Sequence, residues 1–188
     1  SGSSEPPRPL RLNAQALGHD LRALEDSGAL HIVWQPTTSG LLDALGLKLP
    51  DTVERLGIKR VLLDSLGGMA RVATNQARLV EFFSALMNEL RSRGVTVMAT
   101  WEMRDLFGSE INAPAAELPS LVDNLLLMRF VEINSELKRV LSTLKMRDST
   151  YDPALLEVVF DEQGLRLKKA FRNATAVLSG TAIPSANK

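Results

Sequence analysis

The sequence predicts an α/β domain with a mainly parallel core flanked by helices and an antiparallel extension at the C-terminal end. Helix-like and strand-like segments alternate in the first half of the chain, which is typical of a parallel sheet. In the second half, strand-like segments follow one another without helices, which is typical of antiparallel strands. Apolar residues make up 45% of the 188 residues, enough for the core of an ordinary domain.

The first half contains the helices. Asp20 is the expected N-cap of the second helix, and Gly28 is its expected stop. The clearest helix is the last of the five, over 75–93, because its apolar residues recur at helical spacing and form one stripe. The predicted elements are, in order, helices over 10–17 and 20–24, a strand over 29–34, helical segments over 41–47 and 52–56, a strand over 60–63, a helix over 75–93 and a strand over 95–100.

The second half begins with a loop region and continues as strands. The loop covers residues 105–120 and contains Gly108 and two prolines, and its length suggests a functional or mobile segment. The predicted strands cover 121–130, 139–146, 155–160 and 165–171, with a turn at 161–164. We expect residues 1–8 to be a tail or a cloning remnant, residues 9–171 to form one domain, and residues 172–188 to be a C-terminal tail.

Composition excludes several classes of protein. Lysine plus arginine equals aspartate plus glutamate at 22 each, so no large basic field predicts binding to nucleic acid or to a membrane surface. The chain has no cysteine, which excludes disulfides and thiolate metal sites, and its two histidines, His19 and His31, are far apart in sequence. No apolar run is long enough for a membrane span, and no signal peptide is visible. We therefore expect a soluble cytoplasmic protein.

Two cations end the strand predicted over 139–146. Lys145 and Arg147 are two residues apart, so on a strand their side chains share one face. Lysine is a point charge and arginine is a planar fork, and the two together suit a phosphate. The spacing by itself also fits an ordinary solvated strand end, so the choice depends on the neighbouring strands.

Acidic residues follow two of the strands predicted in the first half. Asp64 comes directly after one of these strands, and Glu102 lies two residues after the other. Ligands of α/β sheets bind at the carboxyl ends of strands, so Asp64 is a candidate ligand of a phosphate-bound Mg²⁺. Asp64 and Ser65 equally suit the cap of a following helix. Glu102 likewise suits an exposed ion pair with Arg104.

Taken together, these segments resemble the KaiC-like branch of the RecA/RadA ATPase superfamily. The resemblance runs from about residue 5 to residue 171 and depends on the order and spacing of several short segments. Each segment is weakly specific by itself, whereas the ordered set is specific. The segments are Leu17-Gly-His-Asp20, Glu25-Asp-Ser-Gly28, the Walker B-like Gly57-Ile-Lys-Arg-Val-Leu-Leu-Asp64-Ser-Leu66, Gly94-Val-Thr-Val-Met-Ala-Thr-Trp-Glu102, Leu121-Val-Asp-Asn124 and Leu144-Lys-Met-Arg147.

The resemblance implies a RecA-like core and assigns roles to particular residues. Asp64, with Ser65 beside it, would hold Mg²⁺ and its water at a bound ATP. Glu102 would be the candidate for sensing the γ-phosphate. Lys145 and Arg147 would act in trans as cationic fingers on the nucleotide of a neighbouring subunit, stabilising charge that develops during phosphoryl transfer.

The resemblance also assigns roles to Glu5 and Ser149, and near both of them the sequence departs from the family pattern. Glu5 aligns with one of the paired carboxylates that activate the attacking water, whereas the partner position holds Ser4. The family usually continues Lys-x-Arg with Gly, Ser and then His. This chain continues with Asp148, Ser149 and Thr150, so Ser149 is assigned to the nucleotide, and the adenine and ribose contacts are expected to differ.

The largest departure from the family is the absence of a phosphate-binding loop in this sequence. No G-x-x-x-x-G-K-[ST] segment occurs, and there is no Gly-Lys dipeptide. That loop supplies the backbone N–H groups and the lysine that hold the β- and γ-phosphates. Without the P-loop strand and helix, the core would contain a gap with unpaired strand edges. We therefore expect the sequence to be the later part of a larger ATPase domain, an incomplete sequence that omits the earlier part, or a natural truncation in which another segment fills the gap.

The function predicted from the sequence is that of a KaiC-like, ATP-binding ATPase that forms a homo-oligomeric ring, with a hexamer expected. An autokinase or signalling use, with a protein signalling partner, is possible within this class. A degenerate, non-catalytic domain that regulates or scaffolds a partner is the alternative. A DNA recombinase relative is the third hypothesis, against which the zero net charge and the lack of basic stripes argue.

Overall fold

The computed structural model divides into two compact units, Ser1–Glu102 and Met103–Lys188. The first unit contains the helices and a parallel pair of strands, and the second contains the antiparallel strands. The structure describes residues 7–34, 41–73, 75, 78–102, 121–133, 136–147, 149–152, 154–161, 164–169, 174–175 and 183–184. The predicted loop over 105–120 lies outside these residues.

The first unit begins with two short helices. They are α1 (Pro7–Ala16) and α2 (Leu21–Asp26), close to the predicted bounds. The side chain of Asp20 caps α2 by accepting a hydrogen bond from the backbone N–H of Ala23 at 3.1 Å, as predicted. The Arg11 guanidinium joins the two helices by donating to both carboxylate oxygens of Glu25, at 2.7 and 2.9 Å. This bidentate pair lowers the pKa of Glu25 and raises that of Arg11 through the hydrogen bonds.

The core of the first unit lies between helices and a two-stranded parallel sheet. Strand β1 (Arg60–Leu63) pairs in parallel with β2 (Thr96–Ala99), with Leu63 opposite Ala99. Helix α5 (Leu79–Ser92) follows β1 in the chain and precedes β2, and its apolar stripe is buried as predicted. The buried core residues of this unit are Val53, Leu63, Met69, Leu79, Phe83, Leu86, Leu90 and Val95.

One face of this parallel sheet stays exposed. Leu62 and Met98 are paired across the two strands, and they are 61% and 58% exposed. Leu63, the next residue of β1, points to the other face and is 5% exposed. The sheet therefore buries one face against its own helices, and the other face exposes Leu62 and Met98 beside the polar pair Arg60 and Thr96.

Three predicted features of the first unit are corrected. Residues 29–34 do not form a strand, because no described strand pairs with them and the N–H groups of Ala29 and Leu30 donate to Leu24 at the end of α2. The segments 41–47 and 52–56 form one helix, α3 (Leu41–Leu56), which continues through a proline. A short helix after Ser65, α4 (Leu66–Arg71), was not predicted as an element because its two glycines are poor helix formers.

The second unit is an antiparallel sheet of four consecutive strands. They are β3 (Asn124–Ile133), β4 (Glu136–Met146), β5 (Leu156–Asp161) and β6 (Gly164–Lys169), in that spatial order. All four were predicted within three residues of these bounds, with β3 shifted three residues later at both ends and β4 beginning three residues earlier. Two further strands of two residues, β7 (Ala174–Thr175) and β8 (Ile183–Pro184), pair within the segment predicted as a tail. The predicted fold class, with a helix-flanked parallel sheet and an antiparallel sheet, is confirmed.

The two faces of the antiparallel sheet differ in burial. One face carries the buried Leu127, Val131 and Val140, whereas the other carries exposed apolar side chains such as Met128. The alternation is interrupted near the end of β4, because Lys145 pairs with Leu125 while Thr143 pairs with Leu126, so Leu144 is an extra residue in the ladder. This β-bulge lies directly before the two predicted cations.

Candidate functional site

Asp64 stands at the carboxyl end of a parallel strand, where the sequence placed it. It follows the last residue of β1 directly and its side chain is exposed, whereas Leu63 before it and Ser65 after it are buried. The peptide bond between Asp64 and Ser65 is cis. An exposed carboxylate at this edge is positioned as ligands of α/β sheets require.

The end of the neighbouring strand supplies a partner for Asp64. The hydroxyl of Thr100 donates a hydrogen bond of 2.5 Å to Asp64 Oδ1. The backbone holds the two residues together, since the N–H of Thr100 donates to Leu63 and its carbonyl accepts from Leu66, both at 3.0 Å. Thr100 was quoted within a motif but was not predicted as a site residue. The signal was available, because Asp64 and Thr100 each come directly after one of two strands that pair in register.

Ser65 caps helix α4. Its hydroxyl accepts a hydrogen bond of 3.2 Å from the backbone N–H of Gly68, and the residue is 1% exposed. The sequence left two interpretations open for Asp64 and Ser65, and the capping interpretation holds for Ser65. Its predicted part in cofactor binding stays a prediction.

The chain beyond Thr100 contributes an indole and a second carboxylate to the same edge. A Cβ atom added to Gly67 would lie 3.9 Å from Trp101 Cε2, so the indole packs beside the first turn of α4. Glu102 is exposed. It lies two residues after Thr100, whose backbone N–H still bonds to β1 at Leu63. Its alternative partner Arg104 lies outside the described residues, so the choice between an ion pair and a γ-phosphate sensor stays open.

A cavity lies elsewhere in the first unit, at the amino ends of β1 and β2. It has a volume of about 460 Å³. The Arg93 guanidinium lines this cavity and donates hydrogen bonds to Glu89 on α5 and to Glu54 on α3. The hydrogen bond to Glu89 has the larger effect, and the two together raise the pKa of Arg93. These charged groups pair with one another and join two helices. The cavity is lined by Val53, Glu54, Gly57, Ile58, Lys59, Glu89, Ser92 and Arg93.

In the second unit, both predicted cations contact one short segment. Lys145 Nζ donates a hydrogen bond of 2.8 Å to the carbonyl of Val122. Arg147 Nη1 lies 3.6 Å from Asp123 Oδ1, and the backbone N–H of Arg147 donates to the carbonyl of Asp123 at 3.0 Å. Both cations therefore lie beside residues 122 and 123, and their joint use for an anion stays a prediction. Asp123 was quoted in a motif but was not predicted to pair with Arg147.

The remaining predicted site residues are less informative. Ser149 is exposed, and its hydroxyl donates to the carbonyl of Thr150 at 3.2 Å. Glu5 and Asp148 lie outside the described part of the chain. Across the part that is described, no three His, Cys, Asp or Glu side chains gather to hold a metal ion. Asp64 with Thr100 nevertheless offers the oxygen donors that Mg²⁺ takes together with substrate phosphates.

Comparison with known proteins identifies the family. A family model described as "ATPase: KaiC" matches residues 3–170. The chain belongs to this KaiC ATPase family. The family assignment confirms the resemblance read from the ordered motifs, and a mixed parallel and antiparallel architecture is consistent with a RecA-like KaiC domain. Among the helices that the structure describes, none is long and apolar enough to cross a membrane.

Individual relatives are similar over almost the whole chain. The chain is 31% identical over 170 residues to the circadian clock protein KaiC3 of Synechocystis sp., covering 90% of this chain and 33% of that protein. It is 30% identical over 173 residues to the circadian clock oscillator protein KaiC of Thermostichus vulcanus, covering 92% and 33%. The corresponding protein of Synechococcus elongatus is 28% identical over 170 residues, covering 90% and 32%. The chain thus spans about a third of the length of these KaiC relatives.

Proposed function

We propose that the intact protein is an ATP-binding, ring-forming ATPase in which each active site lies between neighbouring subunits. One observation carries the proposal: Asp64 is an exposed carboxylate at the end of a parallel strand, oriented by the hydroxyl of Thr100 from the next strand. Membership of the KaiC ATPase family supports it. In this proposal Asp64 holds Mg²⁺ at the bound ATP.

The other residues take the roles that the family resemblance assigns. Bound Mg²⁺ neutralises charge on the phosphate oxygens. Glu102 senses the γ-phosphate, Ser149 contacts the nucleotide, and Glu5 helps to activate the attacking water. Ser65, which caps α4 directly after Asp64, takes part in cofactor binding. Thr100 keeps one oxygen of Asp64 engaged, so the carboxylate is oriented before the nucleotide arrives.

Lys145 and Arg147 act in trans in this proposal. Both are cations, and both reach the same segment of the second unit, which supports a joint role at one phosphate group. Such a role requires a ring, and we propose a homo-hexamer. Because the relatives are named circadian clock proteins, an autokinase or signalling use with a protein partner is part of the proposal.

A phosphate-binding loop is needed and is not found in this sequence. We propose that another part of the intact protein supplies it and packs on the sheet face that exposes Leu62 and Met98. The second candidate function is the alternative expected from the sequence, a non-catalytic regulatory or scaffolding domain. The two candidates differ in whether the intact protein hydrolyses ATP.

Mixed rings of the full-length protein test the proposal. Asp64→Asn removes the carboxylate that serves a subunit's own nucleotide, and Arg147→Ala removes the finger that serves its neighbour's. Each variant alone is expected to lose Mg²⁺-dependent ATP hydrolysis, by on the order of a thousandfold for the finger. Rings mixed from both variants are expected to recover activity, because some sites then combine an intact Asp64 with an intact Arg147.

The controls separate the alternatives. Lys168→Ala removes an exposed cation from the same sheet and is expected to leave the rate unchanged. Mixed rings that stay inactive, when the single variants are inactive, would contradict the action in trans. Full-length protein that binds ATP without hydrolysing it would favour the regulatory domain.

A further inference from the structure

The two predicted finger residues are held by the residues that lead into β3. Lys145 donates to the carbonyl of Val122, and Arg147 contacts Asp123 through both its side chain and its backbone N–H. The Arg147 and Asp123 side chains are 54% and 47% exposed, so the ion pair stands at the surface. A surface pair of this kind adds little to stability. Asp123 contacts Arg147 and follows Val122, which contacts Lys145, and this position suggests a role other than stability.

The β-bulge at Leu144 places both cations on the same face as Asp123. Directly paired residues of antiparallel strands project to the same face. Lys145 pairs with Leu125, and the backbone bond from Arg147 to Asp123 continues that pairing by two residues. If Leu144 were paired regularly with Leu125 instead of being bulged, Lys145 would pair with Asn124 and project to the opposite face. The bulge therefore decides where the cations point, and Asp123 meets them there.

The contact geometry favours orientation over neutralisation. Arg147 Nη1 lies 3.6 Å from Asp123 Oδ1, a distance longer than the charge-assisted hydrogen bonds of a bidentate pair. A guanidinium has five N–H donors and an ammonium has three, so each cation can contact the 122–123 segment and a phosphate at once. Holding a long side chain near its working position reduces the conformational entropy that it loses on contacting the phosphate in the transition state.

We propose that Asp123 is a positioning residue that orients Arg147 toward the nucleotide of the neighbouring subunit. The inference rests on the proposed trans role of Arg147. Asp123 itself does not touch the nucleotide in this proposal. It acts through Arg147, while the carbonyl of Val122 orients Lys145 through the main chain. The ligand of the assembled group is the polyphosphate of a nucleoside triphosphate.

Asp123→Asn in the full-length protein tests this role, because it keeps the shape of the side chain and removes its charge. The loss of an exposed orienting pair is expected to lower kcat for ATP hydrolysis about two- to fivefold with an unchanged KM, since the lost contact matters only in the transition state. The matched control is Asp161→Asn, which removes an acid from another exposed ion pair of the same sheet, with Arg166, and is expected to leave kcat unchanged.

A double-variant comparison distinguishes positioning from a structural effect. If Asp123 acts through Arg147, Asp123→Asn has no further effect on kcat in an Arg147→Ala background. An unchanged or raised kcat for Asp123→Asn would overturn the inference, as would an equal loss in the Arg147→Ala background. If Arg147→Ala itself leaves the rate unchanged, the proposed finger role fails, and that failure is distinguishable from a failure of Asp123 alone.

Discussion

The clearest quantitative prediction concerns two leucines that differ in burial. Leu62→Ala and Leu90→Ala remove the same atoms from the first unit. Leu90 lies on α5 and is 0% exposed, whereas Leu62 lies on β1 and is 61% exposed. Any difference between the two substitutions therefore reports how much each side chain is covered by the rest of the protein.

The expected magnitudes follow from these exposures. Truncation of a fully buried leucine to alanine lowers the free energy of unfolding of the protein by about 3–5 kcal/mol, because the cost of the cavity adds to the lost transfer free energy. Full burial of a leucine side chain contributes roughly 1.5–3 kcal/mol to the free energy of unfolding. Because roughly two-fifths of Leu62 is covered, its truncation to alanine should lower the free energy of unfolding by about 1 kcal/mol. No closed cavity forms at a site that is open to solvent.

Urea denaturation of this chain and of the full-length protein measures both costs. In this chain we expect about 1 kcal/mol for Leu62 and at least about 3 kcal/mol for Leu90. In the full-length protein the cost at Leu62 should approach that of a buried leucine, because we propose that the phosphate-loop region packs on this face. Equal costs for the two leucines in this chain would refute the exposed face. A cost at Leu62 that stays near 1 kcal/mol in both proteins would refute the packing of the phosphate-loop region there.

Three further predictions concern single contacts. Thr100→Val removes the hydroxyl that donates to Asp64, and it should lower kcat for Mg²⁺-dependent ATP hydrolysis about three- to tenfold in the full-length protein. Thr100→Ser keeps a hydroxyl and should have a kcat near that of wild type. Equal rates for the two variants would contradict the orienting role of Thr100. The pair with Arg11 depresses the pKa of Glu25, so its stabilisation is present above the ordinary value of 4.5 and is lost as the pH falls through the lowered pKa. Thermal melts at pH 7 and pH 3 should therefore differ less for Glu25→Gln than for wild type, and an unchanged difference would exclude the pair. Ser142 is 6% exposed and its hydroxyl has no partner among the described residues, so Ser142→Ala should raise the free energy of unfolding by about 1 kcal/mol in urea titrations; a loss of stability would indicate a partner.

The sequence predicted best those structural elements that depend on residues close together along the chain. The stripe on α5, the Asp20 cap of α2 and the four strands of the second unit were predicted because each depends on residues within a few positions of one another. The error at residues 29–34 has the opposite cause. An apolar run becomes a strand only where a partner strand offers hydrogen bonds, and no described strand does so there.

The site shows the same division. Asp64 and the pair Lys145 and Arg147 were found from their places at strand ends, which a sequence displays directly. Thr100 and Asp123 were missed as partners because they are 36 and 24 residues away along the chain. Their contacts exist because parallel pairing aligns two strand ends and antiparallel pairing aligns another two.

By itself the sequence determined the fold class, the family and the residue types that carry the proposed chemistry, because periodicity, caps and ordered motifs are local properties. Only the tertiary structure decided which hydroxyl orients Asp64, which face of the parallel sheet stays exposed, and which face of the antiparallel sheet receives the two cations. The last of these depends on one extra residue, Leu144, in the β3–β4 ladder. A one-residue shift exchanges the two faces of a strand, and only the pairing of distant segments sets that shift.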